Sequence, residues 1–280
     1  MVEELARWGK TIPRDRDRAQ SRILLWTVGA LVGLSALFPP LTALLHGLSL
    51  RSFTAPLLIS VGFALLVWAL RAATSAAAAM GSLICFILAR PRHIETHHDP
   101  LSTEHSALLA LITLFVLTFA ATKFGRKKKE ARGLSEPRSG RKASQIVANL
   151  GVAALFAAAG SYAGAIAALA EASADTVSSE IGQAIGGQAR LLTTWRRVSA
   201  GTDGGVTILG TIAGLVAAAI IVATGTAHRP GAATIWVAAC AGLFFDSFLG
   251  ATIERREWIG NDLVNFTSTL VAALIATALS

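Results

Sequence analysis

Residues 145–182 read QIVANLGVAALFAAAGSYAGAIAALAEASADTVSSEIG, an apolar stretch with three carboxylates in its second half. The stretch is too long for the roughly 20 residues that cross a bilayer once, so it must fold back as a helical hairpin. The glycines of Gly160-Ser-Tyr-Ala-Gly164 mark the natural break. Glu171, Asp175 and Glu180 are anomalous here, because carboxylates at membrane depth are costly and usually functional. The stretch therefore predicts a membrane hairpin that carries a site.

The whole chain has the composition of an integral membrane protein. Of its 280 residues 53% are hydrophobic and only 15% are charged, with a mean hydropathy of +0.58, whereas soluble domains average about 25% charged residues. Cys85 and Cys240 both lie in apolar runs, so no disulfide framework is expected. The basic residues 1–22 lead into an apolar run without a clean cleavage site, which favours an uncleaved first span.

Nine membrane spans are predicted. Residues 53–89 form a second hairpin, which breaks at Arg71. The predicted spans cover residues 23–45, 53–70, 73–89, 106–122, 145–160, 162–182, 205–224, 233–250 and 263–279.

The basic residues orient this layout. With the N-terminus inside, the predicted inner segments hold all but four of the 25 Lys and Arg residues, the exceptions being Arg51, Arg90, Arg92 and Arg229. We therefore expect an all-α polytopic helix bundle in the cell (inner) membrane, with a cytoplasmic N-terminus and an outer C-terminus. The net charge of +8 then needs no nucleic acid, although the run Arg126–Lys129 is also suited to anionic lipid head groups.

Four regions follow from the predicted spans. Residues 1–22 form a basic cytoplasmic segment, 23–122 a four-span region, 123–144 a basic cytoplasmic loop, and 145–280 a five-span region that holds the polar residues. A spacing of 54 residues relates Asn149-x-Gly151-Val152 to Asp203-x-Gly205-Val206, which suggests duplicated helical hairpins.

The polar residues of the last five predicted spans share one depth, the cytoplasmic helix ends. Helices that run outward open with Asn149, Asp203, Asn261, Asp262 and Asn265, and helices that run inward end near Asp175, Glu180 and Asp246. Asn149 and Asp203 could simply cap helices. Acids near a helix C-terminus oppose the macrodipole, so they indicate a bound cation. Salt bridges to Arg190, Arg196 or Arg197 are the structural alternative.

Oxygen ligands without Cys or His select Mg²⁺ or Ca²⁺. Basic residues and backbone amides that suit phosphate surround the acids: Arg141, Lys142, Arg190, Arg196, Arg197 and the turn Gly201–Val206, which is expected to open a helix. This combination is typical of phosphoryl transfer. The sequence has no Walker A motif, so a nucleotide site here is not a P-loop.

Several ordered motifs resemble the integral-membrane family that contains the plant phytyl-phosphate kinase of tocopherol synthesis. They are Gly140–Val152, Ala174–Gly182, Gly201–Val206 with Gly210-Thr211, Asp246–Thr252 and Asn261–Phe266. The resemblance implies a kinase that converts a prenyl monophosphate to its diphosphate with Mg²⁺ and a nucleoside triphosphate, CTP or ATP. It covers residues 140–270 well and the first hundred poorly.

The acids, the basic residues and the resemblance together predict roles for individual residues. Asp175, Asp203 and Asp246 are the predicted catalytic, metal-facing set, and Glu180, Asn261, Asp262 and Asn265 are predicted to support the metal. Phosphate binding is predicted for Arg190, Arg196, Arg197, Lys142, Gly204, Gly205 and Asn149. The prenyl chain is expected to lie between helices rich in Ala and Gly.

Other functions remain open at this point. A transporter or flippase of a lipid phosphate also uses buried acids and small residues, but its site lies near the midplane. A cytidylyltransferase or a CTP-dependent prenol kinase is a third reading. The loop from His93 to His105 contains histidines and acids but lacks the spacing of a structural zinc site.

Overall fold

The computed structural model describes residues 12–90, 106–135, 138–185, 188–226 and 231–280, and most of these residues are helical. The α-helices in this part of the chain are α1 (Arg14–Leu45), α2 (Arg51–Ala69), α3 (Ser75–Leu88), α4 (Ser106–Lys123), α5 (Arg126–Ala131), α6 (Ala143–Ala158), α7 (Tyr162–Ile185), α8 (Ile208–Thr226), α9 (Ala232–Thr252) and α10 (Asn261–Ala278). A short 3-10 turn, Glu254–Arg256, follows α9.

Every helix except the six-residue α5 overlaps one of the nine predicted spans. Within the described ranges, α1, α2, α8 and the segment Ala232–Arg256 are long and apolar enough to cross a bilayer, and α3, α6 and residues 107–123 are apolar but shorter. The helical membrane bundle is confirmed. The span count of nine and the orientation of the termini stay predictions.

The outer helices α1 and α2 display large apolar side chains. Trp26 and Phe38 on α1 are 72% and 66% exposed, and Leu58 on α2 is 73% exposed. Continuous exposed apolar faces on a helix of this length are not tolerated in water, whereas they match the hydrocarbon of a bilayer. The exposed faces of α1 and α2 are therefore lipid contacts.

Helix α7 lies at the centre of the bundle and packs against α4, α6, α8, α9 and α10. Its closest neighbour is α8, because a Cβ on Gly210 would lie 2.5 Å from the Ser178 carbonyl and one on Gly214 would lie 2.7 Å from the Ala174 carbonyl. Small residues let two membrane helices approach to backbone contact. The acids of α7 thus face protein instead of lipid.

A small antiparallel sheet corrects the prediction of a purely helical chain. Strands β1 (Ala189–Leu191), β2 (Arg197–Val198) and β3 (Gly205–Val206) pair in the order β2-β1-β3. The expectation that Gly201–Val206 opens a helix is wrong, since α8 begins at Ile208 and the Thr207 hydroxyl accepts a hydrogen bond from the Gly210 amide at 3.1 Å. Strands of two or three residues are too short to show a period in sequence.

The alternative explanation of Asn149 and Asp203 as helix caps is also wrong. Asn149 lies inside α6, where its Nδ2 donates to the Gln145 carbonyl at 2.9 Å, and Asp203 lies in the turn before β3. The spacing of 54 residues thus relates a helical position to a turn position. It does not align equivalent places in two hairpins.

A backbone bridge ties the segment before α6 to the turn between α2 and α3. The Arg141 amide donates to the Ala72 carbonyl and the Thr74 amide donates to the Arg141 carbonyl, both at 3.0 Å. Gly140 has φ +82°, and a Cβ there would lie 2.6 Å from the Ala73 nitrogen. Only glycine fits this crossing, which fixes the position of Arg141.

Candidate active site

A polar cavity of about 380 Å³ lies where α6, α7, α9 and α10 meet the loop 200–207. The helix ends predicted to converge do meet here. The charged residues that line the cavity are Arg141, Asp175, Glu180, Asp203, Asp246 and Glu254, and the amide side chains are Gln145, Asn149, Gln183, Asn261 and Asn265.

Four of the acids come from four different elements. Asp175 lies on α7, Asp203 in the turn before β3, Asp246 on α9 and Glu254 in the 3-10 turn. Asp175 interacts electrostatically with both Asp246 and Glu254, and Glu254 also interacts with Asp203. Like charges gathered in a partly buried space repel one another unless a cation or a proton intervenes. The arrangement therefore suits a cation.

Arg141 is the one basic side chain among the described residues that line the cavity. It lines the cavity, its Nη2 lies 3.5 Å from the Thr176 hydroxyl, and its charge acts on Asp175. A guanidinium with several N–H donors binds phosphate oxygens well. The sequence does not distinguish Arg141 from the other basic residues near the acids, whereas in the structure it lines the cavity.

The turn Gly201–Gly204 brings backbone into the cavity wall. Gly204 has φ +68°, and a Cβ there would lie 2.1 Å from the Ala251 nitrogen. The backbone of the turn therefore packs directly on the end of α9, and Gly204 and Gly205 both line the cavity. Burial raises the pKa of the neighbouring Asp203 carboxyl, while the Arg255 guanidinium opposes this rise.

Glu180 has a structural partner that the sequence did not reveal. The fully buried Lys129 Nζ donates to the Glu180 carboxylate and to the Ala121 and Thr122 carbonyls, at 3.2 and 3.0 Å for the two carbonyls. Lys129 therefore does not reach lipid head groups. The pair connects α5 to α7 at the edge of the cavity, so Glu180 is not a free metal ligand.

Several predicted phosphate ligands lie outside the cavity. Arg196, Arg197 and Lys142 are exposed, and Arg190 donates from Nη1 to the Trp195 carbonyl at 3.0 Å. None of Arg190, Arg196 and Arg197 forms an ion pair within the described ranges, so the salt-bridge alternative is wrong. Asp262 stands in the first turn of α10 and does not line the cavity. The cavity brings together Asn149, Gly204 and Gly205 from the predicted phosphate set.

No three His, Cys, Asp or Glu side chains converge to hold a metal by themselves in the part of the chain that the structure describes. The residues that fit a metal best are Asp175, Asp203, Asp246 and Glu254, with amide oxygens of Asn261 and Asn265 nearby. Mg²⁺ usually binds to one or two carboxylates, several waters and substrate phosphates. This donor set fits such a shared site. The histidine-containing loop 93–105 lies outside the described residues.

Glu171 lies deeper in the bundle. Its side chain is 1% exposed, its Oε1 has no hydrogen-bond partner among the described residues, and it packs on Gly242, where a Cβ would lie 2.6 Å from its Cγ. The hydroxyl of Ser268 donates to Asp246 Oδ2 at 3.2 Å and also interacts with Glu171. Glu171 therefore does not line the cavity, and it is linked to the cavity residue Asp246 through the shared partner Ser268.

The sequence matches one protein family and is similar to several membrane proteins. The family described as integral membrane protein DUF92 matches residues 58–273. A membrane protein of Methanocaldococcus jannaschii is 31% identical over 177 residues, 60% of this chain and 74% of its own, and one of Synechocystis is 32% identical over 184 residues, 60% and 71% of the two chains. Both are described as uncharacterised.

A plant relative is also similar. Protein VTE6, chloroplastic, of Arabidopsis thaliana is 31% identical over 191 residues, which cover 61% of this chain and 57% of the plant protein. No solved structure matches.

Proposed function

Because the chain belongs to the integral membrane family DUF92, we propose that it is a membrane-embedded phosphotransferase that converts an isoprenoid monophosphate to the diphosphate. The donor is a nucleoside triphosphate, CTP or ATP, and the reaction takes place with Mg²⁺ at the cytoplasmic face of the cell membrane. The motifs shared with the phytyl-phosphate kinase family support the substrate class. The observation that carries the proposal is the cavity in which four acids from four elements face Arg141 and the Gly204 turn.

The chemistry requires little of the protein beyond positioning. A phosphate oxygen of the isoprenoid monophosphate attacks the γ-phosphorus of the donor, the bond to the β-phosphate oxygen breaks, and the nucleoside diphosphate leaves. The attacking oxygen is already anionic, so no general base is needed and catalysis is orientation plus charge stabilisation. Bound Mg²⁺ would neutralise phosphate charge between the two substrates.

The residues of the cavity divide between these tasks. Asp175, Asp203 and Asp246 would hold the metal, with Glu254 as a fourth acid that the sequence did not indicate. Arg141 would bind phosphate oxygens of the acceptor, and the backbone at Gly204 and Gly205 would face the donor phosphates. The catalytic region then includes Arg141 as well as residues 145–280.

The direct test is turnover. Purified protein in phospholipid nanodiscs, given Mg²⁺, labelled geranylgeranyl or phytyl monophosphate and each nucleoside triphosphate in turn, is expected to form labelled diphosphate with at least one donor. No diphosphate with any donor, across several chain lengths, would contradict the kinase assignment.

Asp175→Asn tests the site itself. Removal of one electrostatic stabiliser of a transition state typically costs about 100-fold or more in kcat, so we expect a loss of this size while the variant keeps the wild-type elution volume and thermal midpoint. Asp15→Asn, on the exposed first turn of α1, is the matched control. Wild-type rates in Asp175→Asn would remove this residue from the set.

Transport or flipping of a lipid phosphate is the second candidate. It is favoured by Glu171, a carboxyl that is 1% exposed, lies near the middle of α7 and does not line the cavity. Proteoliposomes with fluorescent isoprenoid phosphate in one leaflet separate the two functions. Translocation without any nucleotide, together with no diphosphate product, would favour the transporter.

A further inference from the structure

An apolar groove adjoins the polar cavity, and we propose that it binds the single hydrocarbon chain of the isoprenoid phosphate, with the phosphate end at Arg141. The groove lies between α2, α3, α4 and α6 and has a volume of about 100 Å³. Arg141 and Asn149 line both spaces. The inference rests on the proposed function and adds to it the place of the substrate tail.

One face of α4 forms the floor of the groove. The lining residues of this helix recur at the spacing of a single helical face: Leu111, Leu114, Phe115, Thr118, Phe119, Thr122 and Lys123. At 1.5 Å per residue this face is about 18 Å long. Phe63 of α2 packs edge-on against Phe115, with ring centroids 5.6 Å apart. The floor and one wall are therefore aromatic and aliphatic.

Charge is confined to one end of the groove. Arg71, Lys123, Arg126 and Arg141 line that end, whereas Phe63, Gly81 and Leu111 line the other. None of the described residues that line the groove is acidic. A slot with a cationic end and an apolar body is complementary to a molecule with one anionic end and one apolar chain.

The position of the polar cavity next to the cationic end of the groove sets the orientation of the isoprenoid phosphate. A phosphate held by Arg141 at the cationic end borders directly on the acids of the polar cavity, where a metal and the donor phosphates would lie. The tail then points away from the acids, along α4. Arg126 already pairs with Glu130, at 3.0 Å between Nε and Oε1, so it is held in place at this end.

Gly81 offers a way to shorten the groove. This buried residue of α3 lies at the apolar end, and a Cβ there would meet no atom within 4 Å. Gly81→Leu therefore introduces a side chain into the space of the tail without a backbone clash. Gly62→Leu is the matched control, because Gly62 is a helical glycine on the exposed side of α2 that also has open space at its Cβ and does not line the groove.

The first experiment compares chain lengths. With geranyl and geranylgeranyl monophosphates, Gly81→Leu is expected to lower the long-to-short ratio of kcat/KM about 10-fold or more, as when an apolar pocket loses room for part of its ligand. Gly62→Leu is expected to keep the wild-type ratio. Turnover of both substrates by Gly81→Leu with an unchanged ratio would overturn the groove and leave the kinase function intact.

The second experiment does not depend on turnover. A geranylgeranyl monophosphate with a diazirine at the end of its tail is irradiated with each protein and the labelled peptide is identified by mass spectrometry. We expect the label on α4 around Leu111 or on α2 around Phe63, and at least ~10-fold less of it in Gly81→Leu. Equal labelling of all three proteins, or a label on lipid-facing α1 instead, would refute the groove. If none of the three proteins, the wild type included, turns over substrate and this labelling pattern still appears, the kinase assignment fails and the binding site stands.

Discussion

At the scale of single residues, Asp203 lines the polar cavity and has a shifted pKa. Burial raises the pKa of this carboxyl, and Arg255 counteracts the rise. The folded protein thus holds the proton more tightly than the unfolded chain does. The resulting contribution to stability is present below the unfolded pKa and is lost as the pH rises through the folded pKa.

The proposed Mg²⁺ site adds an opposite dependence on pH, because a metal ion at Asp203 would bind only the ionised carboxylate. We expect the apparent Mg²⁺ affinity of the purified protein to fall on acidification, starting at a higher pH than for an ordinary aspartate. Titration of Mg²⁺ by calorimetry across a pH series measures this, with Asp203→Asn beside the wild type. Superimposable pH profiles for the two proteins would show that Asp203 does not set the dependence.

Gly204 tests the backbone contact between the turn and α9. Gly204→Ala combines a left-handed φ with a Cβ placed 2.1 Å from the Ala251 nitrogen, whereas Gly133→Ala has an almost equal φ of +70° and open space around its Cβ. The left-handed conformation alone costs about 1–2 kcal/mol. In thermal unfolding, Gly204→Ala is expected to lose clearly more stability than Gly133→Ala, and to lose turnover as well. Equal losses would mean that the turn can move away from α9 freely.

At the scale of elements, the buried pair of Lys129 and Glu180 connects the short α5 to the central α7. Removal of one partner of a buried ion pair leaves the other charge uncompensated and costs about 3–5 kcal/mol. Lys129→Met and Glu180→Gln are each expected to lose stability in this range in chemical unfolding. The double variant Lys129→Met/Glu180→Met is expected to recover part of the loss, since neither charge then remains.

A partial recovery with unchanged Mg²⁺ dependence would establish a structural role for Glu180. Glu130→Gln is the control, because its pairs with Arg126 and Arg138 are solvent-accessible and such pairs contribute little. A loss of Mg²⁺ dependence in the double variant, by contrast, would return Glu180 to the metal set.

The elements also show what sequence alone could predict. Apolar runs and their breaks predicted the helices longer than six residues that the structure describes, because these signals are local and depend on composition. The pairing of Lys129 with Glu180 joins residues 51 positions apart, and Lys129 belongs to a basic run that looked like an ordinary cytoplasmic loop. The sheet at residues 189–206 was missed because its pairing is set by tertiary contact rather than by a periodic pattern.

The cavity residues could be predicted only in part, because some of them have a local signal in the sequence and others reach the cavity through tertiary contacts. Asp175, Asp203 and Asp246 stood out as charges in apolar surroundings, and the structure brings them together. Glu254 did not stand out, because it precedes two arginines in an apparent loop. It reaches the cavity only because the 3-10 turn folds back. Arg141 lines the cavity, whereas Arg190, Arg196 and Arg197 do not. Its position is set by the backbone bridge to Ala72 and Thr74, which is a tertiary contact that the sequence does not reveal.

At the scale of the whole molecule, the basic residues predict which face of the bundle is cytoplasmic. In a protein with Cys85 and Cys240 replaced by Ala, Thr194→Cys in the β1–β2 turn and Ser49→Cys between α1 and α2 are exposed reporters. We expect a membrane-impermeant maleimide to label Ser49→Cys in intact cells and Thr194→Cys only after the membrane is opened. The opposite pattern would invert the bundle and place the site outside.

Two of the helices that line the groove, α2 and α4, also expose large apolar side chains such as Leu58 and Val116, which would contact lipid. A molecule whose tail is held there reaches its site by lateral diffusion in one leaflet, so bulk concentration does not set its encounter rate. The governing quantity is the mole fraction of substrate among the lipids. Addition of inert phospholipid at a fixed total amount of substrate would then slow the reaction by surface dilution, even though the number of substrate molecules per protein stays the same.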